Sequence, residues 1–80
     1  MEKRPINIVL NVNSSRLQGE PFYGLHLTVE HGTTAWDLLC AYEVDPSQVG
    51  LIAVNKLSVN EEYQLRDKDT ISFYPLLDGG

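Results

Sequence analysis

The chain has 80 residues, 42% of them hydrophobic, which supplies one small core and leaves no length for a second domain. A net charge of −5 and a sequence pI near 4.7 argue against nucleic acid as the main partner, because phosphates need a basic face. The single cysteine excludes an intrachain disulfide and a cysteine-based zinc site, and it fits a reducing, cytoplasmic setting.

Charge is unevenly spread: residues 1–16 hold three basic groups and one acid, residues 17–80 three basic groups and ten acids. The net acidity is compatible with a partner that has a basic surface, and in the main it reports solubility. Ile6, Ile8, Leu10 and Val12 recur at period two, the pattern of a half-buried strand. Asn7 and Asn11 interrupt the same run as a secretion signal, and nothing approaches the length of a membrane span. Ser14, Ser15, Gly19 and Pro21 mark Asn13 to Phe22 as a long hairpin loop. Tyr23, Leu25, Leu27 and Val29 then predict a second strand, antiparallel to the first.

After the turn His31-Gly32-Thr33 the period changes. Ala35, Leu38, Leu39 and Tyr42 fall at i, i+3, i+4 and i+7, the stripe of a helix packed on a sheet. Thr34 is placed to cap it, with Asp37 completing a capping box. Pro46 forces Asp45 out of the α region, so Val44-Asp45-Pro46 is expected to close the helix. Val49 to Asn55 reads as a third strand, Asn55-Lys56 as a tight turn, and Leu57 to Val59 as a short return. Asn60 to Asp69 is polar except for Tyr63 and Leu65, which are candidates to pin the loop to the core. Ile71 and Phe73 carry a last strand, and Pro75, unable to donate to a ladder, is expected to end it and release a tail. The elements together predict an α+β fold with a mixed sheet and one helix on one face.

Other chemistry is poorly supported. Cys40 has no basic neighbour in sequence to activate it and reads as a boundary cysteine. His26 and His31 lack a third ligand, so no metal site is expected. Trp36 lies off the apolar stripe and reads as half-buried in preference to a partner contact. Glu61, Glu62, Asp67 and Asp69 read as solvated loop charges. If Ile52, Val54, Ile71 and Phe73 face the core, then Leu51, Ala53 and Tyr74 lie on the opposite face as a candidate partner surface.

The strand–strand–helix–strand–strand–strand order, Thr34-Ala35-Trp36-Asp37-Leu38-Leu39, Asp45-Pro46, Ala53-Val54-Asn55 and Phe73-Tyr74-Pro75 followed by Gly79-Gly80 resemble one family. It is the ubiquitin-like β-grasp sulfur carriers of the MoaD/ThiS type: the small subunit of molybdopterin synthase and the thiamin sulfur carrier. The family usually has Asn-Gly at Asn55-Lys56 and Asp-Gly-Asp at Asp67-Lys68-Asp69, and a second proline at Leu76. The Phe73-Tyr74-Pro75 element resembles the molybdopterin branch more than the thiamin branch.

The resemblance implies a β-grasp domain over residues 1–74, with a four- to five-stranded sheet and one main helix, and a flexible tail over residues 75–80. It implies a carrier in place of an enzyme, with no cofactor of its own. An E1-like adenylating enzyme would supply ATP and Mg, and the Gly80 carboxylate would attack the α-phosphate. Sulfur would then displace AMP and leave a thiocarboxylate for an acceptor such as the molybdopterin synthase large subunit. Pro75, Leu76, Leu77, Asp78 and Gly79 would form the inserted tail, which from Pro75 to Gly80 spans at most about 20 Å. The alternatives are a protein modifier conjugated through Gly80 and a plain interaction domain. No nucleic acid or membrane partner is expected.

Overall fold

The computed structural model describes residues 4–12 and 22–76. Its first strand, β1 (Pro5–Val12), buries Ile6, Ile8, Leu10 and Val12 and turns Asn7 outward, as the period-two pattern requires. It pairs antiparallel with β2 (Phe22–Glu30), Ile8 opposite Leu27, with a register shift between Leu10 and Val12. The expected hairpin loop lies outside the described residues except for Phe22, which opens β2. The apolar alternation of β2 predicts a buried face, but only Leu27 and Val29 pack against the core, and Tyr23 keeps 64% of its surface exposed. The physical reason is coverage: β2 is an edge strand, and the one α-helix among the described residues is seven residues long.

That helix, α1 (Ala35–Ala41), begins as its sequence predicts. The Thr34 hydroxyl accepts the Asp37 N–H at 3.2 Å, and the Asp37 carboxylate accepts the Thr34 N–H at 3.0 Å. The loop beyond the sheet satisfies the other two leading N–H groups, Ala35 donating to the Tyr63 carbonyl and Trp36 to that of Glu61. The C-terminus differs from expectation. The helix stops at Ala41 with Tyr42 as cap, because Glu43 takes a left-handed φ of 55°. Val44 N–H then donates to the Leu39 carbonyl and Glu43 N–H to that of Cys40, a Schellman closure with glutamate where glycine is usual. Pro46 does not end the helix. It opens a 3₁₀ turn, Pro46–Gln48, capped by the Asp45 carboxylate on Ser47 N–H.

The turn delivers the chain to β3 (Val49–Val54), which folds back through Asn55 and Lys56 to β4 (Leu57–Val59). Asn55 and Lys56 have φ of 51° and 72°, the two left-handed residues of a type I′ hairpin turn. The last strand, β5 (Thr70–Pro75), enters between β1 and β3, giving a five-stranded sheet among the described residues in the order β2-β1-β5-β3-β4. It runs parallel to β1, Leu10 beside Ile71, and antiparallel to β3, Phe73 beside Ile52.

The core forms between this sheet and α1. Ile6, Ile8, Leu10 and Val12 meet Leu38 and Leu39, with Ile52, Val54, Ile71 and Phe73 completing the layer. Leu65 is buried there as well, and Tyr63 packs against it, so both loop residues serve as pins. Each fully buried aliphatic side chain contributes about 2 kcal/mol. The architecture is α+β, a mixed sheet with one helix on one face. No helix among the described residues is long and apolar enough to cross a membrane.

Candidate functional site

The last described strand lies in the middle of the sheet. β5 has β1 on one side and β3 on the other, so its C-terminal end is held by backbone bonds from a neighbouring strand until the sheet runs out. Sequence alone releases the chain at Pro75; the structure holds it further. Pro75 is the last strand residue, opposite Val49, and Leu76 N–H donates to the Gln48 carbonyl at 2.8 Å. Pro75 lacks a donor, but at the end of a ladder its carbonyl and its fixed φ are still usable, which is why the strand includes it. Leu77, Asp78, Gly79 and Gly80 lie outside the described residues.

Gly50 makes this root possible. β3 carries one extra residue between Val49 and Leu51 relative to β5, and Gly50 is that residue. A Cβ built on it would stand 2.9 Å from the Leu76 Cα and 3.0 Å from the Pro75 carbonyl oxygen, closer than real contacts allow. The backbone of the tail root therefore lies in the space that any other side chain at position 50 would fill. A glycine inside a strand pattern is the signal for this, and chain-order reading passes over it.

The outward face of the sheet holds the other sequence candidates. Leu51 and Tyr74 are direct cross-strand partners, 43% and 39% exposed, and Ala53 beside them is half-buried opposite Ser72. These two apolar side chains adjoin Pro75 and the exposed Leu76 in sequence and register. Toward β1 the face becomes polar: Asn11 donates through Nδ2 to the Ser72 hydroxyl at 3.1 Å and accepts the Gly24 N–H at 2.7 Å. The face is thus apolar near the tail root and hydrogen-bonded elsewhere.

Asp69 corrects an expectation. It is buried, not solvated, and accepts the Asn55 Nδ2 at 2.9 Å, the Tyr63 hydroxyl at 2.9 Å and the Arg66 N–H at 2.8 Å. Three donors replace the water it loses. The Tyr63 hydroxyl is pushed above its usual pKa by burial first, then by its hydrogen bond to Asp69 and the charge of that carboxylate, with Arg66 opposing weakly. This network fixes the β3–β4 turn to the start of β5 and plays the part of a structural clamp.

The remaining candidates are not brought together. Cys40, His26 and His31 are exposed, as is Trp36, which shares a shallow cleft with Thr34, Glu61 and Glu62. Among the described residues no three of His, Cys, Asp and Glu are grouped to hold a metal ion. Comparison of the chain with protein-family models gives no match, and comparison with curated proteins gives none at a significant level.

Proposed function

We propose that this chain is a sulfur carrier with a ubiquitin-like β-grasp fold, acting through a thiocarboxylate at Gly80. The observation that carries the proposal is the placement of β5. The sheet order is consistent with a β-grasp-like fold, and the strand at its centre leads through Pro75 and Leu76 straight into Leu77-Asp78-Gly79-Gly80. A rooted body followed by a narrow glycine end suits a substrate that must reach into another protein's active site, since two residues without Cβ pass where bulkier ones cannot.

The chemistry divides between the chain and its partners. A free carboxylate at Gly80 would be ionised at neutral pH. One carboxylate oxygen attacks the α-phosphorus of ATP on an E1-like adenylating enzyme, forming an acyl-adenylate and releasing pyrophosphate. Magnesium on that enzyme offsets the negative charge on the phosphates. Hydrosulfide then attacks the acyl carbon, the bond from that carbon to the phosphate oxygen breaks, AMP leaves, and loss of the sulfur's proton leaves a thiocarboxylate with sulfur in place of one oxygen. A second protein consumes the thiocarboxylate, the molybdopterin synthase large subunit being favoured by Phe73-Tyr74-Pro75. Leu51, Ala53 and Tyr74, next to the tail root, are the proposed contact with these partners.

Intact-mass spectrometry tests the proposal after incubation with the host's adenylating enzyme, MgATP and a sulfur donor. The expected result is a mass gain equal to sulfur replacing one oxygen, localised to Gly80. Deletion of Gly80, or Gly80→Ala, is expected to abolish it while leaving the circular dichroism spectrum unchanged. An unchanged mass with an enzyme active on its own control substrate would sink the carrier reading. Covalent adducts to lysines of other proteins would make the chain a modifier.

A further inference from the structure

β2 is the longest strand and an outer edge of the sheet, and among the described residues no strand lies beyond it. The hydrogen bonds of β1 fix which way the backbone of β2 points. Val9 N–H donates to the Asp69 carbonyl at 2.9 Å and the Asn7 carbonyl accepts the Lys68 N–H at 2.6 Å, so both residues face the β5 side. Their antiparallel partners on β2 are His26 and Thr28, and such a pair turns its backbone groups away from each other. The N–H and C=O groups of His26 and Thr28 therefore point out of the sheet edge. The His31 N–H, on the Arg4 carbonyl at 2.7 Å, obeys the same alternation. The register runs unbroken from the Pro5/Glu30 pair to the Leu10/Leu25 pair, and its shift comes only beyond Leu10.

Little along this edge resists pairing. Strands that must stay single are commonly short, or carry lysine or proline. β4, at the other edge, has three residues; β2 has nine, with no lysine, arginine or proline, and its one fixed charge is its last residue, Glu30. Alternating with the outward groups is an apolar row, Leu25 at 37% exposure and Leu27 and Val29 only partly buried. A charged strand would find no counter-charge over residues 25–29, whereas the same strand of a second copy matches it. With β2 run antiparallel to itself about a two-fold axis at Leu27, His26 meets Thr28 of the second copy, and each such pair can exchange both its N–H···O bonds. Leu25 then lies opposite Val29, Leu27 opposite its own equivalent and Glu30 opposite Gly24, so no like charges meet. An axis at Thr28 would call on the Glu30 carbonyl, which already accepts the Thr33 N–H and hydroxyl. An axis at His26 would set two imidazoles against each other. We propose that two copies of this chain join edge to edge through residues 25–29 of β2, forming one continuous sheet. The interface is small, so the dimer is a weak one. β1 separates β2 from β5, so the pairing leaves Tyr74 and the tail root of each copy uncovered. The proposal stands on the open edge and its self-complementary register, and it does not depend on the chemistry of Gly80.

The test is sedimentation equilibrium of the full chain from about 20 μM to about 1 mM. The expected result is a mass rising toward twice that of the chain, and more readily at higher salt, which screens the repulsion between copies of charge −5. Nuclear magnetic resonance of mixed isotope-labelled and unlabelled chain is expected to show contacts between Leu25 and Val29 methyl groups. Within one strand those residues stand about 13 Å apart, so such a contact must cross between copies. Leu25→Lys places a charge in the apolar row and is expected to raise the dimer Kd about tenfold or more, with an unchanged circular dichroism spectrum. Leu57→Lys, at the 70% exposed position on β4, is expected to leave the Kd as it was. A monomer at every concentration, a dimer without the Leu25–Val29 contact, or a dimer broken by Leu57→Lys and not by Leu25→Lys would each overturn the proposal.

Discussion

Tyr63 couples one hydrogen bond to the pH dependence of the whole fold. Its hydroxyl donates to the buried Asp69, and its pKa lies above the usual value for tyrosine. An acid whose folded pKa is raised keeps its proton longer in the fold than in the unfolded chain. Its contribution is therefore complete below the unfolded value of about 10 and is lost as pH rises through the folded value. At pH 8 Tyr63→Phe is expected to cost about 1 kcal/mol in urea denaturation, by removing one donor from Asp69. At pH 11 the gap between wild type and variant is expected to narrow, and a constant gap at both pH values would contradict the coupling. Gly50 gives a second residue-scale expectation. In Gly50→Ala the new Cβ meets backbone at Leu76, which a rotamer change cannot relieve. A cost of about 1–3 kcal/mol is expected, together with loss of hydrogen-exchange protection at the Leu76 amide; protection equal to wild type would show that the root tolerates a side chain. Tyr63 was legible as a pin of its loop and Gly50 as a glycine inside a strand pattern, but what each one touches was not. Asp69 looks like one more acid in a charged turn until the fold brings Asn55, Tyr63 and Arg66 to it, and Gly50 matters only because β5 ends beside it.

Elements were more legible where a local signal fixes them. The strand over Ile6 to Val12 follows from alternation, and the start of α1 from Thr34 and Asp37, because both signals act within a few residues. The end of α1 was misplaced because a proline is a visible stop and Glu43 is not: nothing in a glutamate announces a left-handed φ. The exposed side of β2 was invisible for another reason, since burial depends on how far a helix elsewhere reaches. The β3–β4 hairpin was legible in place and imperfect in chemistry. Lys56 holds a φ of 72° in the turn, where a side chain costs roughly 1–2 kcal/mol relative to its preferred region. Lys56→Gly removes that strain but makes the unfolded chain more flexible, which costs about 0.5–1 kcal/mol. The net expectation is a gain of up to about 1.5 kcal/mol, read as a higher urea midpoint at unchanged slope. A lower midpoint would mean that Lys56 makes a contact outweighing its strain.

At the scale of the whole molecule, the pairing that the sequence could not announce is the one that organises the rest. Adjacent strands suggest their own pairing, as β1–β2 and β3–β4 do, but nothing local says that residues 70–75 must enter between the two hairpins and run parallel to β1. Joining Leu10 to Ile71 closes a loop of most of the chain, and loop entropy must be met before those contacts can stabilise anything. The two hairpins and α1 are local, so they are expected to form first, with β5 added afterwards as the strand that locks both halves and presents the tail. Two equivalent deletions of one methylene group separate these stages. Ile8→Val in β1 and Ile71→Val in β5 both trim fully buried side chains and are each expected to cost about 1 kcal/mol. If β5 docks late, Ile71→Val raises the unfolding rate about fivefold and leaves the folding rate nearly unchanged, whereas Ile8→Val slows folding measurably. Stopped-flow chevrons of the two variants decide it: equal slowing of folding by both would put β5 in the nucleus, and the tail root would then be among the first parts of the molecule to form.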